Sequence, residues 1–376
     1  MLTIDAVHLR EINMPLAYPF ETSFGVTTAR RILLVEVESD GLTAWGECTA
    51  GEHPYFSEES IDTAWMTIEN ELAPRLIGNE LVGGSGCPAL FHQVRGHRMA
   101  KAALENAVWD LDAQQKKMSL AELLGGTRTV IPCGVSIGIQ PSPAALMDKI
   151  EESLEAGYQR IKLKCKPGWD TKIFERVRKR WPEIRLSCDA NSAYRIVDIE
   201  HIAEWDQFDL MMIEQPLWYD DFYFHSMLQK RLETPICLDE SIRNRRDALA
   251  AIDMESCRII NIKVGRVGGF SEAIAVHNAA AERAVPVWCG GMLETGIGRA
   301  HNIALSSLAN FTLPGDISAS KRYWVEDIIE PEVTVSADGE IEVPYGIGSG
   351  VTVLRDRIEA LTVRRQTLRV GARVMA

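Results

Sequence analysis

Ile161-Lys-Leu-Lys164, Leu186-Ser-Cys-Asp189, Met211-Met-Ile-Glu214, Pro235-Ile-Cys-Leu-Asp239 and Ile259-Ile-Asn-Ile-Lys263 are five short apolar runs that each close on a charged residue. The closing residues stand 25, 25, 25 and 24 positions apart. That step fits one strand, one helix and two short loops. Acidic residues number 53 in a chain of 376, so even spacing alone is weak; its force is that every charge ends a strand-like run. Charges at the carboxyl ends of successive parallel strands converge on one mouth if the sheet closes into a barrel, and such barrels keep their chemistry at that mouth.

The beat continues on both sides. Val130–Ile137 reads as a first strand, followed by a helix over Ser142–Ala156 that ends at Gly157. Strand 160–165 precedes helix 170–181, which stops before Pro182, and strands 185–190, 210–214, 235–239 and 259–263 alternate with helical stretches. A helix over 271–283, capped by Ser271, leads to Val285–Trp288; a helix over 296–309 leads to Phe311–Leu313, the eighth strand. Alternating strands and helices predict a parallel sheet. An open doubly wound sheet would call for a Gly-rich turn after its first strand, and no GxGxxG occurs there. The predicted class is α/β, a modified (β/α)8-type barrel over residues 128–317.

Residues 1–127 do not keep the beat. Thr3–Met14 and Arg31–Glu47 read as strands, with a hairpin turn at Asp40-Gly41. Ser57–Leu76 reads as a helix capped by Ser57, and Lys101–Gln115 as a second helix. Residues 318–376 are turn-rich and too poor in apolar periodicity to fold alone, so they are expected to return to the amino-terminal α+β unit.

Composition sets outer limits. The apolar fraction of 46% and charged fraction of 25% are ordinary for a soluble globular protein. A net charge of −13 argues against nucleic acid or an anionic membrane surface as partner. Eight scattered cysteines without a CxxC pair suit a reducing, cytoplasmic setting. The charged, alternating start reads as neither signal peptide nor anchor, and no apolar run approaches the roughly 18 residues of a membrane span.

Asp189, Glu214 and Asp239 would place three hard oxygen donors together, a set that suits Mg²⁺, with Mn²⁺ as a substitute. The cation could hold a substrate carboxylate and stabilise the charge that develops when its α-proton leaves. Lysine serves as a base where burial or a neighbouring cation disfavours its charged form. Lys162 and Lys164, two apart on a strand, face the same side, and Lys263 on the sixth strand stands across the barrel from Lys164. Glu240, beside Asp239, is read as a second-layer support or a structural residue.

This set, Lys162-x-Lys164, Asp189, Glu214, Asp239 and Lys263, resembles the enolase superfamily in its muconate-lactonising-enzyme-like subgroup. Pro19-Phe-Glu-Thr-Ser-Phe-Gly25 and Gly51-Glu-His-Pro-Tyr-Phe-Ser57 resemble its two lid segments (about residues 15–30 and 50–57). Gly290-Gly-Met-Leu-Glu-Thr-Gly-Ile-Gly-Arg299 and Leu313-Pro-Gly-Asp-Ile-Ser318 resemble the o-succinylbenzoate synthase / N-acylamino acid racemase family. The resemblance implies a capping domain built from residues 1–127 and the tail 318–376, and commonly a symmetric homo-oligomer. It implies a Mg²⁺-dependent syn-dehydration of a cyclohexadiene carboxylate in menaquinone biosynthesis, racemisation of N-succinyl or other N-acylamino acids, or both. Lys164 would be the base on one face and Lys263 the acid/base or charge stabiliser on the other. Asn191 would assist near the metal, and Ser136, Gly291, Met292 and Phe20 would line the acyl pocket.

Two departures weigh against sister activities. Mandelate-racemase-like members carry a His on the seventh strand, where this chain has Val285-Pro-Val-Trp288, and dipeptide epimerases carry Asp-x-Asp on the eighth, where Asp316 stands alone. A muconate cycloisomerase-like enzyme is a further alternative. Other classes are a Schiff-base lyase using Lys164 or Lys263 as nucleophile and a non-catalytic metal-binding barrel. His53, His277 and His301 are isolated and read as packing or solvent-facing residues.

Overall fold

Seven parallel strands lie side by side in chain order: Gly134–Ile137, Arg160–Lys164, Leu186–Asp189, Ile213–Glu214, Ile236–Leu238, Ile259–Ile262 and Val287–Cys289. The computed structural model in which they are seen describes residues 1–23 and 25–369. Phe24 of the first lid motif and residues 370–376 of the tail lie outside the described residues.

The eighth position is filled differently from the regular strand expected at 311–313. An irregular segment, 311–316, makes parallel bridges to Val287 through Phe311 and to Cys133 through Gly315. The Gly134 N–H donates to Gly315 O at 2.7 Å, and the Asp316 N–H to Cys289 O at 2.9 Å. Pro314 lacks an N–H, so a continuous ladder cannot form there. The expected first strand is also split. Val130–Pro132 pairs antiparallel with Glu340–Glu342, and the barrel stave begins at Cys133, which bridges Gly315 just before strand Gly134–Ile137.

Side-chain alternation sorts the barrel strands into two faces. Outward residues such as Ile161, Leu163, Leu186, Ile213, Ile236, Ile260, Ile262 and Val287 pack beneath the helices in one large core. Each such burial contributes about 1.5–3 kcal/mol. Inward residues change character with height. Met212, Cys237, Ile259 and Trp288 form an apolar plug, and one step toward the carboxyl ends the inward positions become Lys162, Glu214 and Asn261.

The helices start where side chains can cap them. Ser142, Asp170 and Asn244 accept from Ala145, Thr171 and Asp247 N–H groups at the heads of Pro143–Glu155, Thr171–Arg180 and Arg245–Asp253. Two expected caps are corrected. Ser60, in a capping box with Thr63, opens the helix at Ile61 in place of Ser57. Gly269 precedes helix Phe270–Ala281, and the Ser271 N–H is taken by Glu105 of the capping unit.

Ala6–Thr22, Gly25–Ser39, Leu42–Cys48 and Thr362–Arg369 form a four-stranded antiparallel sheet with helix Arg98–Lys116 against it. Asp40 and Gly41, with φ of 48° and 77°, make the tight turn between the second and third of these strands. Phe20–Thr22 and Gly25 of the first lid motif lie at the far end of the long hairpin formed by the first two, beyond its register shift between Pro15 and Phe20. Among the described residues, no helix is long and apolar enough to cross a membrane.

Candidate active site

Each charged strand end is brought to one place by register. Lys164 pairs with Asp189, Asp189 with Glu214, and Glu214 with Cys237, two residues short of Asp239. Asp189, Glu214 and Asp239 are buried, at 1%, 0% and 0% exposure. Isolated carboxylates could not remain charged at such depth, and each has a cation against it. The Lys164 ammonium donates to Asp189 Oδ2 at 2.6 Å and Asn191 Oδ1 at 2.7 Å. Lys263 donates to Asp239 Oδ2 at 2.7 Å, and the other Asp239 oxygen takes Arg266. Lys162 lies among three acids, at 2.8 Å from Glu214 Oε2, 3.2 Å from Asp189 Oδ2 and 2.5 Å from Asp316 Oδ2.

These contacts shift the titration of Asp189, Lys162 and Glu240. Burial opposes ionisation of Asp189, but Lys164 and Lys162 outweigh it and hold its carboxyl below the usual range. Burial likewise works against charge on Lys162, and Asp316, Glu214 and Asp189 outweigh it, keeping the ammonium well above the ordinary lysine range. Glu240 is pushed up to about 7 by burial and by the nearby Asp189 charge. Its Oε1 accepts from Asn191 Nδ2 at 2.9 Å, which turns the Asn191 carbonyl toward Lys164.

The acids and lysines underlie a cavity of about 370 Å³ walled by barrel and cap together. Lys162, Lys164, Asn191, Lys263, Ser136 and Asp316 rise from the barrel strands and the loops that follow them, and Gly291 and Met292 from the loop after the seventh strand. Phe20 and Phe56 descend from the two lid segments, with the Phe56 ring 4.3 Å from the Lys263 ammonium. Asp189, Glu214, Asp239 and Glu240 lie beneath the cavity wall rather than in it. Phe20, Ser136, Lys162, Lys164, Asn191, Lys263, Gly291 and Met292 thus line one cavity, and Asp189, Glu214, Asp239 and Glu240 are joined to it through hydrogen bonds and ion pairs with Lys164, Lys162, Lys263 and Asn191.

Several contributors were not read from the sequence. Asn261 donates to Glu214 Oε1 at 2.8 Å; its i, i+2 relation to Lys263 repeats that of Lys162 to Lys164 and was the available signal. Trp288, where a seventh-strand His was sought, lies 4.8 Å from the Lys162 ammonium and 4.5 Å from the Arg160 guanidinium. Arg266, three residues past Lys263, carried no pattern. Arg30 of the cap donates to Met292 O and, at 3.1 Å, to Ala50 O, tying the cavity wall to the second lid segment. His53 is exposed at the cavity mouth, while the His277 ring stacks on Phe311 and His301 packs against Phe270.

Among the described residues, no three His, Cys, Asp or Glu side chains lie close enough together to enclose an ion as they stand, since ammonium groups take the carboxylate oxygens. The donor chemistry nevertheless fits a divalent cation. Three buried carboxylates on consecutive strands are hard oxygen donors, and beside them Glu240 Oε2 is buried with no hydrogen-bond partner.

A closed α/β barrel with an α+β cap and ionisable side chains gathered at its strand ends defines a capped barrel with an enzyme-like site at its mouth. The family model described as enolase C-terminal domain-like matches residues 145–357, and that of the mandelate racemase / muconate lactonizing enzyme N-terminal domain matches residues 4–125. The chain belongs to the enolase superfamily. It is 51% identical over 362 residues to an o-succinylbenzoate synthase of Geobacillus kaustophilus, covering 96% of both chains. It is 43% identical to an N-succinylamino acid racemase of Thermus thermophilus, covering 96% of this chain and 98% of the relative. A crystal structure of an enolase superfamily member from Listeria innocua superimposes with a TM-score of 0.95 at 40% identity, over 99% of this chain and all of the other.

Proposed function

We propose that this chain, with Mg²⁺ bound, dehydrates a cyclohexadiene carboxylate to o-succinylbenzoate and racemises N-succinylamino acids with the same side chains. The observation that carries the reading is that Lys164 and Lys263, on the second and sixth of eight staves, face one cavity from opposite sides, each braced on a different buried carboxylate. The names of the 51% and 43% identical relatives, one for each activity, support both halves.

Asp189, Glu214 and Asp239 would hold the cation. When bound, Mg²⁺ (or Mn²⁺ in its place) supplies a Lewis acid that stabilises charge on the substrate carboxylate as the α-proton leaves. In its neutral amine form, having first released a proton to solvent, Lys164 takes that proton at Nζ, and the Lys162 ammonium, fixed by its three acids, faces the same developing charge. In dehydration the C–H bond breaks to Lys164, the C–O bond breaks on the same face, and the proton leaves with the hydroxyl as water while the ring becomes aromatic. In racemisation Lys263 delivers a proton to the opposite face. Asn191 orients Lys164, and Ser136, Gly291, Met292 and Phe20 enclose the acyl end. Asp316 is committed to Lys162 and Arg160, which counts against its binding a dipeptide ammonium and so against epimerase activity.

We also infer a cytoplasmic homo-oligomer. All eight cysteines are buried and unpaired, and Trp218, Tyr219, Tyr223, Phe224 and Met227, close together in sequence, are exposed large side chains suited to association. Sedimentation of the purified chain tests the assembly.

The deciding experiment assays purified protein with Mg²⁺ against the cyclohexadiene precursor and against N-succinylamino acids, comparing kcat/KM. Turnover of both, lost in Lys164→Ala, supports the reading; turnover of neither overturns it. A substrate adduct trapped by borohydride would favour a Schiff-base lyase instead.

A further inference from the structure

Asp316 stands on the irregular eighth stave, away from the acidic trio, yet it is the nearest carboxylate to Lys162 among the described residues. The Lys162 ammonium is 2.5 Å from Asp316 Oδ2, against 2.8 Å to Glu214 and 3.2 Å to Asp189. The other Asp316 oxygen takes Arg160, whose remaining guanidinium nitrogens, Nε and Nη1, have no hydrogen-bond partner. Arg160 and Lys162 both lie on the face of the Trp288 ring, and Asp316 bridges the two cations.

The anchor is rigid. The Asp316 N–H is bonded to Cys289 O at 2.9 Å, and Asp316 O lies so close to Gly291 that a Cβ there would approach it to 2.9 Å. A stiff backbone and a buried partner arginine leave the carboxylate little room to follow Lys162; the flexible lysine must come to it.

We propose that Asp316 is a positioning residue that pulls the Lys162 ammonium toward the eighth stave, loosening its hold on Glu214 Oε2 and Asp189 Oδ2 so that a divalent cation can displace it there. Without this pull, the three N–H donors of Lys162 would settle on the two remaining acids and compete directly with the cation for their oxygens. The inference rests on the metal reading given above, and it adds a residue that holds no metal but governs how readily the metal sites are vacated by lysine.

The test measures Mn²⁺ binding to chelator-stripped, full-length protein by calorimetry and by the loss of the free-ion electron spin resonance signal. Asp316→Asn should weaken Mn²⁺ binding about 10- to 100-fold, the range typical of supporting residues around a metal site. In a Lys162→Met background the same substitution should change affinity by less than about threefold, because the competitor is gone. Equal losses in both backgrounds would show a through-space charge effect and overturn the proposal, as would unchanged binding in Asp316→Asn alone. If Asp316→Asn fails to fold because Arg160 is left unpaired, Arg160→Met/Asp316→Asn is compared with Arg160→Met by the same criteria. Absence of Mn²⁺ binding to the wild-type protein would overturn the metal reading itself and this inference with it.

Discussion

Gly290→Ala is a one-carbon change that should separate site geometry from fold. A Cβ at position 290 would lie 2.4 Å from Asn261 Oδ1, 2.6 Å from Asn261 Nδ2 and 2.7 Å from Lys263 Cε. The backbone φ there is not left-handed, so the cost comes from contact and not from the peptide. Ordinary contact begins near 3.4 Å, so Asn261 must retreat by about 1 Å, while the longer Lys263 stem can swing aside more cheaply. Asn261 is fully buried and its amide is committed to Glu214 at 2.8 Å. The methyl therefore breaks that bond or drags Glu214 with it, and it displaces Lys263 from Asp239. Overpacking of this kind costs about 1–3 kcal/mol of stability, and a displacement near 1 Å at a reacting group lowers rate about 100-fold. The assay is kcat/KM for dehydration and for racemisation beside a thermal melt. A variant that keeps wild-type kcat/KM within about threefold would refute the argument that Gly290 clears the path of Asn261 and Lys263.

Other consequences can be checked independently. Phe56→Ala removes the ring over Lys263 and should weaken productive binding by a factor set by about 0.5–2 kcal/mol, read as a raised KM with the melt unchanged; an unaltered KM would count against the closed lid. Chelation followed by dialysis should abolish dehydration, and Mg²⁺ or Mn²⁺ should restore it; full turnover in stripped protein would remove the metal from the mechanism. Glu105, which joins the cap helix to Ser271 and is pushed up to about 7 by burial, should make stability pH-dependent. Its folded value lies above its unfolded one, so its contribution is complete at low pH and is lost as pH rises through about 7, with a slope of at most about 1.4 kcal/mol for each pH unit crossed. Glu105→Gln should therefore gain on wild type in melting temperature between about pH 5 and about pH 8, and a parallel pH profile would refute this.

The site was more legible than the sheet that builds it. A parallel strand buried on both faces reads as an apolar run, so a charge closing that run is conspicuous, and the five closing residues declared the mouth. The staves at Pro132 and Pro314 were misread because periodicity does not show where a missing N–H breaks a ladder. Ser57 and Ser60 are both plausible caps in sequence; which one is used depends on where the lid segment leaves the helix. Arg160, Asp316 and Trp288 went unrecognised as a unit because their contacts join the second, seventh and eighth staves, and no local pattern encodes a partnership across that distance.

The central claim is that Lys164 and Lys263 serve opposite faces of one α-carbon. The direct measurement is solvent deuterium incorporation into each enantiomer of an N-succinylamino acid by wild type, Lys164→Ala and Lys263→Ala, followed by proton NMR before much racemisation has occurred. The account predicts that wild type exchanges both enantiomers and that each variant still exchanges one enantiomer, a different one in the two cases. Loss of both exchanges to the same extent in both variants, or retention of both in either, would contradict it.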